Sequence, residues 1–390
     1  MYCSRNKPQL FSRQSLRSIS KNRRHFVPYS TTTFYSPQIT SEDVYVARSY
    51  CSNLLKKFDS PSYTLQTFVP RSVRDAYLSI RAFNIELARI PDLVSNRAIG
   101  SLRMQFWRDN ITQTFSNAPP REPVAILLHH ALHSLRERHP DSSTNMMKAW
   151  FLKVIDAREL YMDNRSYPSL DALEVYSENT YSTLLYLSLA ALPMHSVAID
   201  HIASHIGKAI GITAVLRGLP LIAFPPPPNH HSKSFSPSAT AVEGANRRQG
   251  TIVLPLDVMA EAGVKEEDIF RQASQAPGLK DAVFIVATRA NDHLITAREM
   301  IKNLQRGHGI EHGHNHGDDI NFRNDEPHKN ASLHVSDIER SFGLLMHAVP
   351  TRLWLEKLEK LDFNIFREEM RARDWLLPWK SYLAYSRKSI

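Results

Sequence analysis

The chain has 390 residues, 42% of them hydrophobic, which is enough to form one large core or two modest ones. Its net charge of +9 would suit a nucleic-acid partner, but seven basic residues lie within residues 1–41, which contain no acid. Without those seven the charge falls to +2, so no basic surface that would bind a phosphate backbone is predicted, and we expect no nucleic-acid partner. The two cysteines, Cys3 and Cys51, exclude a disulfide framework and fit a reducing compartment.

Residues 1–40 have the composition of a mitochondrial transit peptide. They are rich in Arg and Ser, contain no Asp or Glu, and carry scattered Leu, Phe and Ile. They lack the apolar run of roughly 7–15 residues that a secretory signal requires. A basic tail without a targeting role is the alternative interpretation. We predict that residues 1–40 are a transit peptide and that residues 41–390 form the folded protein.

The rest of the chain predicts a succession of helices, because apolar residues recur at spacings of three and four. Ser41, followed by Glu42 and Asp43, is typical of a helix start. The predicted helices cover residues 41–58, 70–90, 97–117, 122–138, 144–163, 169–192, 196–217, 255–262, 265–275, 279–303, 336–347, 350–359 and 365–373. Only residues 251–254 are strand-like, and we predict that the uncharged run at 180–199 is a core helix instead of a membrane span. An all-α domain follows.

Two polar segments interrupt the helical pattern. Residues 225–248 are rich in Pro and Ser, and residues 306–334 are rich in Gly, His, Asn and Asp. We predict that both are disordered inserts within a single domain, because similar helical patterns resume after each. The second contains His312, His314 and His316, for which we favour adventitious metal binding over a specific site, since nothing rigid surrounds them.

Several helical residues allow both a structural and a functional interpretation. His201 and His205 stand one turn apart and could hold zinc, but core or interface histidines are the favoured interpretation because no third ligand is evident. Three glycines in one helical stretch indicate close helix packing or room for a ligand, and packing is favoured. These are Gly207, Gly211 and Gly218.

Two further segments allow two interpretations each. The helix around Arg103 and Arg108 is either an ordinary amphipathic helix or a cavity wall that presents arginines to an anionic headgroup. The C-terminal residues 374–383 cluster aromatic and basic side chains, and either lie at a lipid interface or pack on the domain as a last helix.

Several motifs together resemble squalene and phytoene synthases. They lie at residues 60–70, 73–77, 80–84, 102–107, 176–180, 207–217, 250–257 and 263–264. The resemblance covers about residues 43–305 well and the tail weakly. It implies an all-α isoprenoid synthase fold, a single helical domain around a central cavity. In active members, two facing helices each present aspartates that hold Mg²⁺, and the metal clamps a diphosphate.

The same resemblance implies that the metal-binding carboxylates are absent. The first acidic motif falls on Asn84 and Ala88, and the second on Gly218 and Ile222. Glu86 cannot substitute, because two residues along a helix lie on nearly opposite faces. We therefore expect no bound metal, no cofactor, no catalytic residues and no diphosphate ionisation. The residues that the resemblance suggests as cavity or anion contacts are Tyr63, Arg81, Arg103 and Arg217.

A closer resemblance is to a degenerate mitochondrial branch of this family, the NADH dehydrogenase (complex I) assembly factor 6 proteins. It rests on residues 81–88, 103–107, 178–180, 184–187 and 203–209. It implies a non-catalytic role in assembly of respiratory complex I on the matrix side of the mitochondrial inner membrane. The implied partners are complex I subunits or other assembly factors, the inner-membrane surface and, as an option, a lipid or isoprenoid. The alternatives are a prenyltransferase acting on isoprenoid diphosphates and an isoprenoid or lipid carrier that uses the same cavity.

Overall fold

The protein is described here by a computed structural model. It describes residues 39–94, 96–138, 146–194, 196–225, 250–307 and 327–390, the last range as backbone alone up to residue 334. Residues 39–390 form one compact unit. The predicted transit peptide and most of both predicted inserts, including His312, His314 and His316, lie outside the described residues.

Fifteen α-helices and no strand occur in the described part of the chain. The first eight are α1 (Ser41–Phe58), α2 (Ser60–Leu65), α3 (Arg74–Leu93), α4 (Arg97–Phe115), α5 (Pro123–Arg138), α6 (Lys148–Leu160), α7 (Leu170–Ser177) and α8 (Thr183–Leu189). The others are α9 (Val197–Ala223), α10 (Leu256–Glu261), α11 (Glu266–Gln272), α12 (Leu279–Gln305), α13 (Pro327–Leu345), α14 (Ala348–Lys360) and α15 (Leu377–Arg387). A π-helical segment, Glu178–Ser182, joins α7 to α8.

The predicted all-α class is confirmed, and the differences lie in short elements. Residues 251–254 are extended and mostly buried but pair with no strand among the described residues. The predicted helix at 365–373 contains only a 3₁₀ turn, Glu368–Arg371. The helix α13 begins at Pro327, inside the range predicted as an insert. Short elements are not predicted reliably from hydrophobic periodicity, because they contain too few turns to show a buried stripe.

The predicted start of the first helix agrees with the structure. The helix α1 begins at Ser41, and Thr40 caps it. The backbone N–H of Asp43 donates to the Thr40 hydroxyl over 3.1 Å, while the backbone N–H of Thr40 donates to the Asp43 carboxylate over 2.9 Å. This reciprocal pair satisfies two backbone donors that the helix itself cannot, which fixes where the folded domain begins.

The helix α9 is the central element of the bundle. It packs against α7, α8, α12 and the π-helical segment. Among the described helices it alone is long and apolar enough to cross a membrane, since it contains an 18-residue stretch with a mean hydropathy of 1.5. However, 61% of that stretch is buried inside the protein. Its apolar composition is accounted for by the neighbours that cover it on several sides.

Two glycines let α9 approach the π-helical region closely. A Cβ atom at Gly207 would overlap the backbone of Ser182, and one at Gly211 would overlap the Ser177 side chain. Gly218, on the same helix, faces no such neighbour: the nearest atom to its Cβ would be Ile222 Cδ1, at 3.5 Å. The structure therefore assigns packing to the first two glycines and not to the third.

We expect Gly207→Ala to destabilise the protein by about 1–3 kcal/mol, because the added methyl group must displace backbone and not a flexible side chain. Gly218→Ala is the matched control, and should be neutral or stabilise by up to about 1 kcal/mol through helix propensity. Chemical denaturation of both variants measures the difference. Equal midpoints for the two would contradict the close approach at Gly207.

Candidate functional site: a tyrosine-lined cavity

The bundle forms a cavity of about 160 Å³, partly open to solvent, between α3, α6, α7 and α9. Leu87, Ala88 and Pro91 come from α3, and Arg158 comes from α6. The other lining residues are Tyr161, Asn164, Arg165, Tyr167, Tyr176, Tyr181, Ala214, Val215, Ile222 and Val253. This volume is small beside the roughly 300–1,000 Å³ typical of pockets for drug-sized ligands.

A guanidinium group contacts Asn84, the first of the predicted motif positions. Arg158 Nη2 donates to the Asn84 side-chain oxygen over 2.8 Å, and Nη1 donates to the Tyr176 hydroxyl over 2.9 Å. The guanidinium also lies over the ring of Tyr181, 5.1 Å from its centroid. Asn84 itself is buried. An amide thus stands at this position as an acceptor for a permanent cation.

Aromatic rings form one wall of the cavity. The ring centroids of Tyr161 and Tyr167 are 4.4 Å apart, and Tyr176 lies 5.2 Å and 5.4 Å from them. Burial raises the pKa of the hydroxyl groups of Tyr167 and Tyr176, so both stay protonated at neutral pH. This wall therefore offers ring faces to a cation and neutral hydroxyl groups to polar partners.

The remaining predicted motif positions are apolar or lack a side chain. Ala88 on α3 and Ile222 on α9 both line the cavity. Gly218 lies one turn before Ile222 and is not among the lining residues. Mg²⁺ takes hard oxygen ligands, which neither an alanine methyl nor an isoleucine side chain supplies. Among the residues that the structure describes, no three His, Cys, Asp or Glu side chains are grouped as metal ligands.

Arg81, predicted as a cavity contact, is instead part of a buried ion pair outside the lining. Its Nη2 lies 2.6 Å from Asp59 Oδ2. Burial alone would raise the pKa of the Asp59 carboxyl, but the Arg81 charge and the Ser62 hydroxyl outweigh it and hold that pKa below its ordinary value. Arg81 therefore stabilises the junction of α1, α2 and α3.

The other three predicted contacts do not meet at the cavity. Tyr63 is half-buried and packs against the hydrophobic core. Arg103 is exposed and lines a separate groove of about 230 Å³ beside Phe106 and Trp107. Arg217 is exposed on α9. Arg103 therefore borders an outer groove and is not part of the wall of the cavity.

The two histidines of α9 do not form a paired site with each other. His205 Nδ1 lies 3.0 Å from Nδ1 of His293 on α12, which has Glu174 of α7 on its other side, 3.5 Å from Nε2. Burial and the neighbouring His293 lower the pKa of His205 to about 4. His205 is neutral at physiological pH, which fits its predicted role as a packed histidine.

Sequence reasoning missed Arg158 and most of the tyrosine wall. Arg158 lies in a helix whose pattern marks it only as a charged residue between apolar ones, and it is 74 residues from Asn84. The usable signal was the number of tyrosines between residues 161 and 181, which is high for a helical segment. Their convergence on one cation could not be read from spacing.

We expect Asp59→Asn to cost about 3–5 kcal/mol in the free energy of unfolding, because it leaves the buried Arg81 charge without its partner. Asparagine still caps α2, so the change isolates the charge. The Asp59 pKa is lower in the folded protein, so the stability it contributes is present above about pH 4 and is lost on acidification.

The control for this prediction is Asp163→Asn, which breaks an exposed pair with Arg97 and Arg165. That change should cost less than about 1 kcal/mol. Urea denaturation at pH 7 and pH 3 measures both variants. An Asp59→Asn loss that is no larger than the Asp163→Asn loss would contradict the role of the buried pair.

Known proteins resemble this chain over most of its length. The squalene/phytoene synthase family profile matches residues 55–221 and 242–380. A protein from Bos taurus named NADH dehydrogenase (ubiquinone) complex I, assembly factor 6 is 34% identical, covering 87% of this chain and 82% of its own. The Homo sapiens protein of the same name is 32% identical over the same shares. A Drosophila melanogaster homolog is 29% identical, covering 86% of this chain and 83% of its own.

Solved structures show the same fold at low sequence identity. A dehydrosqualene synthase bound to a ligand superposes with a TM-score of 0.62 and 16% identity, covering 89% of this chain and 98% of its own. A squalene synthase from Alicyclobacillus acidocaldarius superposes with a TM-score of 0.58 and 12% identity, covering 83% of this chain and 97% of its own. The predicted isoprenoid synthase fold is thus confirmed, and together with the sequence matches it shows that the chain belongs to the squalene/phytoene synthase family.

Proposed function

We propose that this protein assists assembly of mitochondrial respiratory complex I and does not catalyse prenyl transfer. The proposal rests on similarity to proteins named complex I assembly factor 6, which are 32–34% identical to this chain over 87% of its length. The proposed partners are complex I subunits or other assembly factors. The folded region from residue 41 to residue 390, apart from its two inserts, would supply the surfaces that contact them.

The chemistry of the cavity supports a non-catalytic role. No Asp or Glu is among the residues that line it. Arg158 occupies the acceptor at Asn84, and Ala88 and Ile222 replace carboxylates with apolar groups. Ionising a diphosphate requires several hard oxygen ligands for Mg²⁺. The prenyltransferase alternative lacks these groups, and the small volume argues against carriage of a whole isoprenoid chain.

The proposed location is the matrix side of the mitochondrial inner membrane. The basic, acid-free composition of residues 1–40 supports import as a transit peptide. These residues lie outside the described part of the chain, so the support comes from composition and from the names of the relatives.

The C-terminal helix supplies a surface for the membrane. Leu377, Ser381 and Ala384 form its buried stripe. On the opposite side, Trp379 is 69% exposed, and Trp375, two residues before the helix, is 81% exposed. Tyr382, Leu383 and the exposed Arg371, Arg373 and Arg387 complete what we call the aromatic–basic face. Tryptophan and tyrosine favour the headgroup region of a bilayer, and basic residues favour anionic lipids.

We expect cells that lack this protein to lose assembled complex I on native gels while their sterols stay unchanged. The full chain should restore assembly, and a chain lacking residues 1–40 should not. An unrelated matrix-targeting leader fused to residues 41–390 is the matched control and should restore it. Normal complex I in the deleted cells would contradict the assembly role.

We also expect the purified protein to release no diphosphate from farnesyl diphosphate in the presence of Mg²⁺, because the cavity lacks the oxygen ligands that would hold the metal. An active squalene synthase assayed in parallel is the positive control. Metal-dependent turnover by the purified chain would contradict the non-catalytic proposal, even if cells that lack the protein also lose assembled complex I.

We expect the double change Trp375→Ala and Trp379→Ala to weaken binding to vesicles containing anionic lipid by at least about tenfold, since each buried large apolar side chain contributes roughly 1.5–3 kcal/mol. Phe106→Ala, which removes an exposed aromatic ring on α4, is the control and should bind as the unmodified chain does. Binding should weaken as salt rises. Vesicle co-sedimentation measures both effects, and equal binding by all three proteins would exclude this face.

A further inference from the structure

The charge balance inside the cavity is uneven. Two arginines, Arg158 and Arg165, are among its lining residues, and no acid is. Arg165 makes a bidentate pair with Asp163, at 2.9 Å and 2.8 Å, and shares that carboxylate with Arg97. Arg158 contacts only neutral groups: the Asn84 amide, the Tyr176 hydroxyl and tyrosine rings. It lies in no ion pair with the carboxylates of the described residues. The cavity therefore holds at least one uncompensated positive charge, that of Arg158.

The hydrogen bonds of Arg158 are also incomplete. Its Nε atom is buried and has no hydrogen-bond partner among the described groups. An arginine side chain stays protonated and presents five N–H donors in a fixed fork. A buried charge without a countercharge is costly, and that cost is offset when an anion binds beside it. The guanidinium thus carries the charge that such an anion would compensate.

The hydroxyl groups of the tyrosine wall complement this cation. The Tyr176 oxygen accepts from Arg158 Nη1, and the same hydroxyl also has Tyr167 as a hydrogen-bond partner. The pKa of that hydroxyl is raised by burial, so the proton is present at neutral pH. A guanidinium fork beside neutral hydroxyl donors suits the oxygens of a phosphate or carboxylate group.

We propose that this cavity is a metal-independent binding site for a small anionic group of the phosphate or carboxylate class, held by Arg158 and Tyr176. The volume of about 160 Å³ suits one such group and not a long chain with a diphosphate. Asn84 positions the guanidinium and leaves its charge uncompensated. The inference goes beyond the assembly role and does not depend on it.

The test measures binding of inorganic phosphate to the purified protein by calorimetry and thermal shift, with EDTA present throughout. The unmodified chain should bind phosphate. Arg158→Gln should lower the affinity at least about tenfold, because it removes a charge-assisted hydrogen bond to the anion. Arg217→Gln is the matched control, since it removes an exposed arginine outside the cavity, and it should bind normally.

A second variant keeps the test decisive if Arg158→Gln does not fold. Asn84→Asp places a carboxylate where the amide oxygen lies, 2.8 Å from the guanidinium. The new internal ion pair should leave the protein folded and lower phosphate affinity at least about tenfold, because the charge is now compensated. Circular dichroism confirms the fold of each variant.

Two outcomes would overturn the proposal. One is equal binding of phosphate by the unmodified chain, Arg158→Gln and Asn84→Asp, which would mean an adventitious ion only. The other is binding that appears only when Mg²⁺ replaces EDTA. A soluble short-chain phosphatidic acid separates the two sources of the anion. Arg158-dependent binding of this lipid that is tighter than that of phosphate identifies a lipid headgroup, and equal affinity identifies a free anion; either result supports the site.

Discussion

The permanent positive charge of Arg158 is the constraint on which the interior of this protein depends. Asn84 accepts from it, tyrosine rings lie against it, and no lining carboxylate neutralises it. A divalent cation placed about 4 Å away would be repelled by roughly 4 kcal/mol for each pair of unit charges at an effective dielectric constant near 20. A guanidinium here therefore disfavours a metal ion at the same helix face unless carboxylates compensate it, and no carboxylate is among the lining residues.

The scaffold that surrounds this charge is that of the family. The central helix α9 lies against the π-helical segment because Gly207 and Gly211 leave no side chain between the backbones. The helices α3 and α9 still border one cavity, through Ala88 and Ile222. At this cavity the two helices present an alanine and an isoleucine. Solved squalene-type synthases share this fold at 12–16% identity, which shows that the helical packing tolerates wide changes in sequence.

The outer surface supports the proposed role as much as the interior does. An assembly factor must offer surfaces, and large apolar side chains remain exposed on α15 and on α4, where Arg103 and Phe106 border a groove of about 230 Å³. Such exposure costs solubility unless a partner or a membrane covers it. The exposed aromatics of α15 sit among basic residues, which favours an anionic lipid surface for that face.

The sequence alone determined the helical class, the start of α1 at Ser41, the acid-free leader and the absence of carboxylates at positions 84 and 88. These follow from local periodicity, capping chemistry and residue identity. The tertiary structure alone decided which charges meet. It brought Arg158 to Asn84 across 74 residues, paired Arg81 with Asp59, and left Arg103 and Arg217 on the outside. Periodicity shows which face of a helix is buried but not which neighbour that face contacts, and electrostatic partners are set by the contact.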